Sequence, residues 1–339
     1  MTSWQAGMAV PDWPLSFGSL NPEGWWGNFP VRLEHGHRLL AACVGLAVGV
    51  LCSAVWGNSR ALGVAAVVSL GAGFAGKYLG ASAALLAHLG IWPAALAFVA
   101  CLFGMSRRNP AVGGAERGLA LAAFLLVICQ ATLGGLRVTR ETAGAVDVAL
   151  VFRIVHGCVA QAFLVVLVAL SARISILAGN RELPGLGKNL PTGLVWTALL
   201  VVYGQLILGA TMRHMGAGLA IPTFPAANAS GGWMPQTHNL YTDLNFGHTR
   251  FGALVVCTVV LVTAGRVLFS SRRGGSVWIG AARCGLLVVI QAALGILVVL
   301  HQKPKTLATV HVVLGATLLA SVAALLVRCH DAKSAEVPR

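Results

Sequence analysis

Four histidines carry the chemistry open to this chain: His37, His156, His248 and His311. Each stands about one and a half turns into an apolar run that reads as a helix, which puts all four ~8–10 Å below one end of their helices. An imidazole in hydrocarbon is costly unless it binds a metal or a hydrogen-bonding partner. The histidines also belong to a repeat. Gly7-Met8-Ala9-Val10-Pro11-Asp12-Trp13-Pro14 reads against Gly218-Leu219-Ala220-Ile221-Pro222-Thr223-Phe224-Pro225, and Gly36-His37-Arg38 reads against Gly247-His248-Thr249-Arg250, so one offset of 211 joins loop to histidine. A register kept over such a stretch marks an internal duplication. Each half then holds one pair, His37 with His156 and His248 with His311.

Two imidazoles on facing helices of a bundle can hold haem iron from both sides. Interhelical hydrogen bonding by core histidines is the plainer alternative. Zinc is a third, but it takes four protein ligands, or three and water, and no cysteine or carboxylate cluster converges on these positions. The expectation is paired ligation of a cofactor. Arg38, Arg153 and Arg250 lie within three residues of His37, His156 and His248. They are candidates to bind the carboxylate side chains of a haem, against simple snorkelling at a helix end. Glu34 precedes His37 by three residues, on the same helix face, and Asn245 stands in its place before His248. A carboxylate beside one pair and an amide beside the other suggest one reactive site and one electron-transfer site. Contact of Glu34 with headgroups or with Arg38 is the alternative.

The elements that position these residues are membrane helices. Hydrophobic residues make up 57% and charged residues 10%, with mean hydropathy +0.80. Nine apolar runs, roughly 31–55, 62–79, 83–105, 117–137, 149–172, 190–212, 244–268, 277–300 and 306–328, are long enough to cross ~30 Å of hydrocarbon. Period-two alternation is absent, which argues against a barrel. The net charge of +14 does not imply a nucleic-acid partner, because the basic residues lie between runs and form no patch. They gather in alternate connections, which makes those connections and the C-terminus cytoplasmic and turns the histidines toward the outer face. All eight cysteines lie in or at the end of apolar runs, so no disulfide framework is expected. Gln130, Gln205 and Gln291 each open a Q-x-x-L-G step, read as close helix packing at Gly134, Gly209 and Gly295, with direct haem contact as the alternative.

The fold class expected is an all-α polytopic membrane bundle of two pseudo-symmetric four-helix halves, 1–172 and 190–328, with a cytoplasmic tail at 329–339. Two features break the symmetry. The counterpart of 190–212 would fall at about −21 to 1, so the first half lacks its first helix, through a start assigned downstream or through loss. From His37 to Gln130 is 93 residues, against 43 from His248 to Gln291, so a two-helix hairpin at about 62–105 is inserted in the first half. His88 lies in that hairpin without a repeat partner and is read as structural.

With the PDWP loop (Pro11–Pro14), EHGHR (Glu34–Arg38), QATLGG (Gln130–Gly135), GHTR (Gly247–Arg250) and the helices of His156 and His311, the chain resembles the haem A synthase family of cytochrome oxidase assembly. The resemblance covers nearly the whole chain outside the missing helix and the hairpin. It implies oxidation of the C8 methyl of haem O to the formyl group of haem A. His37 and His156 would handle the substrate haem, His248 and His311 a haem b, and Glu34 would be catalytic. Some members carry a cysteine pair around the loop, where this chain has Val10 and Ser16. The implied partners are haem O synthase, cytochrome oxidase subunit I and an electron donor, in a bacterial plasma membrane. The runner-up function is a bis-histidine cytochrome b that only moves electrons. A repeat-built transporter would show broken midplane helices instead.

Overall fold

The structure is a computed structural model in which residues 7–78, 82–105, 112–179 and 190–334 are described. It is helical, with no extended strand among the described residues. The helices are α1 (Phe29–Trp56), α2 (Arg60–Tyr78), α3 (Ala83–Met105), α4 (Gly114–Thr142), α5 (Val146–Leu177), α6 (Thr192–His214), α7 (Leu240–Phe246), α8 (Ala253–Ser270), α9 (Ser276–Leu300) and α10 (Lys305–Ser334). A π turn, Gly247–Gly252, joins α7 to α8 without a break. Seven spans are long and apolar enough to cross a membrane, α7 to α8 counting as one; α2 and α3 contribute the shorter apolar stretches Arg60–Ala72 and Gly90–Gly104. Backbone groups in hydrocarbon must pair within their own segment, which is why apolar runs of this length become helices. The chain is an integral membrane protein.

The chain divides into two compact units, Met1–Leu167 and Val168–Arg339. In the first, α1 packs on α4, and α2 packs along α3. The inserted hairpin is seated against the rest of its unit. Phe98 stacks on Phe124 of α4 with ring centres 4.2 Å apart, and Asn58 Nδ2 donates to the Cys101 carbonyl at 2.9 Å. The side chain of His88 lies outside the described ones. Helix α5 is the least buried of the seven spans, with 6% of its apolar window covered.

The second unit is a four-helix ring, α6 on α8, α8 on α9, α9 on α10 and α10 on α6. Helix α10 continues to Ser334, so the first part of the expected tail, Cys329 to Ser334, is helical, with Cys329 wholly buried.

Each unit carries a loop ahead of its first histidine helix. In both, the side chains that hold the loop come from the turn around that histidine. Arg38 donates to the carbonyls of Asp12 and Leu15, at 2.6 Å each, and of Val10 at 3.0 Å. Arg250 donates to the carbonyls of Thr223 (2.6 Å), Ala226 (2.8 Å) and Pro225 (3.2 Å). Thr142 Oγ1 donates to the Pro11 carbonyl, and Gln302 Nε2 to the Pro222 carbonyl. The Trp13–Pro14 and Phe224–Pro225 bonds are both cis.

Candidate functional site

In the first unit His37 of α1 faces His156 of α5 with ring centres 6.4 Å apart and planes at 86°. In the second, His248 of the π turn faces His311 of α10 at 6.5 Å and 88°. The sequence pairing is therefore the spatial pairing. Depths differ more than expected. The histidines stand 8, 10, 8 and 6 residues past Phe29, Val146, Leu240 and Lys305, because the helices begin before the apolar runs do.

The Q-x-x-L-G steps explain how the rings are held. Gln130 Nε2 donates to the carbonyl of His156 at 2.9 Å, Gln205 Nε2 to that of His248 at 2.8 Å, and Gln291 Nε2 to that of His311 at 3.0 Å. Four residues on, on the same helix face, the glycine leaves room for the ring. A Cβ on Gly134 would lie 3.5 Å from His156 Cε1, on Gly295 3.1 Å from His311 Cε1, and on Gly209 2.5 Å from His248 Cε1. Packing at these glycines is thus packing against the histidines of the neighbouring helix. The glutamines fix the histidine backbone, a contact that the spacing alone did not show.

The donor set fits a group held by two imidazoles. Among the described residues no three His, Cys, Asp or Glu side chains converge, so each site offers a pair and no zinc-type cluster. The Nδ1 atoms of His156, His248 and His311 are buried without a hydrogen-bond partner, although Gln291 Nε2 lies 3.3 Å from His311 Nε2. A metal atom at ~2.0 Å from a nitrogen of each ring requires ring centres roughly 6 Å apart once the ring radii are added. Both pairs meet that spacing.

Glu34 is 2% exposed. Its Oε2 accepts from the Val10 amide at 3.1 Å, and its Oε1 accepts from Arg38 Nη2 at 3.2 Å. It lies inside the protein and not among headgroups, although the contact with Arg38 is real. Asn245 is also fully buried, but donates to the Ala217 carbonyl at 2.9 Å and accepts from Thr249 Oγ1 at 3.2 Å. Ser16 finds its partner two residues before His37, at His35, whose Nδ1 lies 2.9 Å from Ser16 Oγ.

The arginines divide. Both Nη atoms of Arg38, and Nε, Nη1 and Nη2 of Arg250, are engaged by loop carbonyls, Glu34 or Thr249. Both side chains staple their loop to the histidine turn. Arg153 remains available. Its Nη2 lies 3.7 Å from Glu141 Oε1, and its Nε is buried without a partner. Arg137 of α4, not singled out from the sequence, joins this group, and its Nε is also buried and unpartnered.

Residues 31–323 match the family described as COX15-CtaA, cytochrome oxidase assembly protein. The chain is 28% identical over 231 residues to a protein named heme A synthase from Rhodopseudomonas palustris (strain BisB5), covering 64% of this chain and 61% of that one. It is 30% identical over 224 residues to a heme A synthase of Azorhizobium caulinodans (62% and 61%) and 31% identical over 219 residues to one of Erythrobacter litoralis (61% and 61%). The chain thus matches about three fifths of the length of these relatives. With its match running through all four histidines, the chain belongs to the COX15-CtaA family of cytochrome oxidase assembly proteins.

Proposed function

We propose that the protein is a haem A synthase, oxidising the C8 methyl of haem O to the formyl group of haem A. Haem O is the substrate at His37 and His156, and a haem b is held by His248 and His311. The observation that carries this reading is the contrast between two imidazole pairs of equal spacing, 6.4 and 6.5 Å, and their unlike neighbours, Glu34 and Asn245. A protein that only passed electrons would have no use for the difference. The relatives named heme A synthase support the same substrate and product.

Bound haem supplies the redox chemistry. The chain's residues bind, orient and handle protons. His37 and His156 fix the substrate from opposite helices, and Gln130 holds the backbone of one of them. Taking the methyl to the formyl level breaks two C–H bonds, forms C=O and removes four electrons, which the redox chemistry of bound haem would accept, so protons must be moved at this site. Glu34, three residues before His37, is the one carboxylate on that turn, and each of its oxygens keeps a lone pair beyond the bond it already accepts. Arg38 anchors both this carboxylate and the loop 7–28, so the loop and the group that would deliver protons or position an oxygen ligand form one rigid piece. Arg153 is a binder for the haem carboxylates.

We place the protein in a bacterial plasma membrane with both histidine pairs toward the outer face and the C-terminus in the cytoplasm, on the bias of Lys and Arg among the connections. Haem O synthase, cytochrome oxidase subunit I and an electron donor are its expected partners. Extraction and chromatography of haem from cells co-expressing the chain with a source of haem O tests the reaction. New haem A is expected; haem b with unchanged haem O would leave an electron-transfer cytochrome.

A further inference from the structure

The two units differ at a second place besides Glu34. Seven residues after Gln130 stands Arg137, and seven after Gln291 stands Val298; three residues before His156 stands Arg153, and three before His311 stands Ala308. Both cationic positions are therefore peculiar to the first pair.

Their placement follows from helix geometry. Gln130, Gly134 and Arg137 are spaced i, i+4 and i+7, so they line one face of α4. Gln130 bonds the His156 carbonyl and Gly134 lies against the His156 ring, so the next turn carries Arg137 past that ring. Arg153 sits three residues before His156, on the same face of α5. Arg153 Nη2 lies 3.7 Å from Oε1 of Glu141, which stands four residues after Arg137 and so on the same side of α4. Two guanidiniums from facing helices thus stand at the same edge of the histidine pair.

Neither is used up. Arg137 donates no hydrogen bond to any described residue, and its Nε is buried. Arg153 has a single long ion pair, 3.7 Å, with Glu141, whose other oxygen is buried and unpartnered. Buried guanidinium donors without acceptors are costly, and a carboxylate is their natural bidentate ligand. Arg38, by contrast, is closed by the loop.

We propose that Arg137 and Arg153 form a carboxylate clamp that orients the substrate porphyrin in the first site. The clamp grips acidic side chains at one edge of the ring and so fixes which edge is presented near Glu34. Arg137 is a positioning residue here, not one that takes part in the bond changes. The inference rests on the reading of His37 and His156 as a haem site.

Optical titration of the purified full chain with iron protoporphyrin and with its dimethyl ester tests it. The first-site component is the part lost in His37→Ala. At that site the diacid should bind ~10–100-fold more tightly than the ester. Arg137→Gln should weaken the diacid by that factor, leave the ester unchanged, and raise KM for haem O more than it lowers kcat. Arg137→Lys should restore part of the discrimination. Equal binding of diacid and ester by the unmodified chain overturns the clamp without any variant. So does an equal loss for both ligands in Arg137→Gln and Arg153→Gln, which is the mark of a structural role. A titration that His37→Ala leaves unchanged is a different failure: it removes the haem site itself, and the clamp with it.

Discussion

Arg38 and Arg250 grip the same two loop positions, Asp12 and Leu15 in one unit and Thr223 and Ala226 in the other, although the loops are 211 residues apart and the arginines 212. The π turn Gly247–Gly252 takes up the extra residue. In an α-helix one inserted residue turns everything beyond it by ~100°. A wider turn confined to the insertion keeps His248 on its site and Arg250 on its loop, which is a common use of π bulges.

Deleting Thr249 should therefore be tolerated. The sequence becomes Gly-His-Arg, as in the first unit, and the turn can close as α. The purified deletion variant should keep its bound haem b absorption, at a cost of ~1–2 kcal/mol for the lost Thr249 hydrogen bonds. Deleting Cys257 instead rotates Val260, Ala264 and Val267 out of buried positions. That variant should lose the haem and unfold at lower temperature. Equal loss from both deletions would show that the π turn is no insertion point.

The three ring-facing glycines should respond in order of clearance. Gly134→Ala adds a methyl at ordinary contact distance, 3.5 Å, and should be silent. Gly295→Ala, at 3.1 Å, should shift the haem b spectrum slightly, and Gly209→Ala, at 2.5 Å from His248 Cε1, should abolish low-spin ligation or weaken haem retention at least roughly tenfold. Absorption spectra of the three purified variants check this. A normal spectrum in Gly209→Ala would mean that the ring does not rest on that glycine.

His248→Ala and His311→Ala should each remove the low-spin haem b spectrum of the purified protein, since the proposed site would hold its haem by both imidazoles. An unchanged spectrum in both would end the assignment of this pair.

Glu34→Gln keeps the shape and can still accept from the Val10 amide, but loses the charge that Arg38 meets at 3.2 Å. Haem b should stay bound, because the pair proposed to hold it lies in the second unit, where Asn245 stands at this position. Haem A formation should slow ~10²–10⁴-fold, with haem O accumulating. An unaltered yield would leave Glu34 as a loop anchor only.

Much of this was legible in the sequence, and the misses have physical causes. The offset of 211 gives the loops, the histidines and their pairing, because a duplicated bundle repeats its contacts. The loop contacts of the arginines were not legible: the carbonyls that hold Arg38 and Arg250 are 23 to 28 residues away in loops whose path only the fold reveals. The extra residue between His248 and Arg250 was the available sign that the arginines, not only the histidines, are held in register. Spacing put each glutamine and glycine on one helix face. The histidine opposite them depends on which helices are neighbours. Arg137 was missed because it lies nineteen residues before His156 in sequence and meets it only when α4 packs beside α5.

The proposed division of work between the two histidine pairs is tested most directly by the haem content of single-histidine variants. Haem is extracted from purified His37→Ala co-expressed with a haem O source and separated by chromatography. His37→Ala should retain the haem b spectrum and yield no haem A. Haem A from His37→Ala at the unmodified level would contradict the assignment of substrate to the His37–His156 pair.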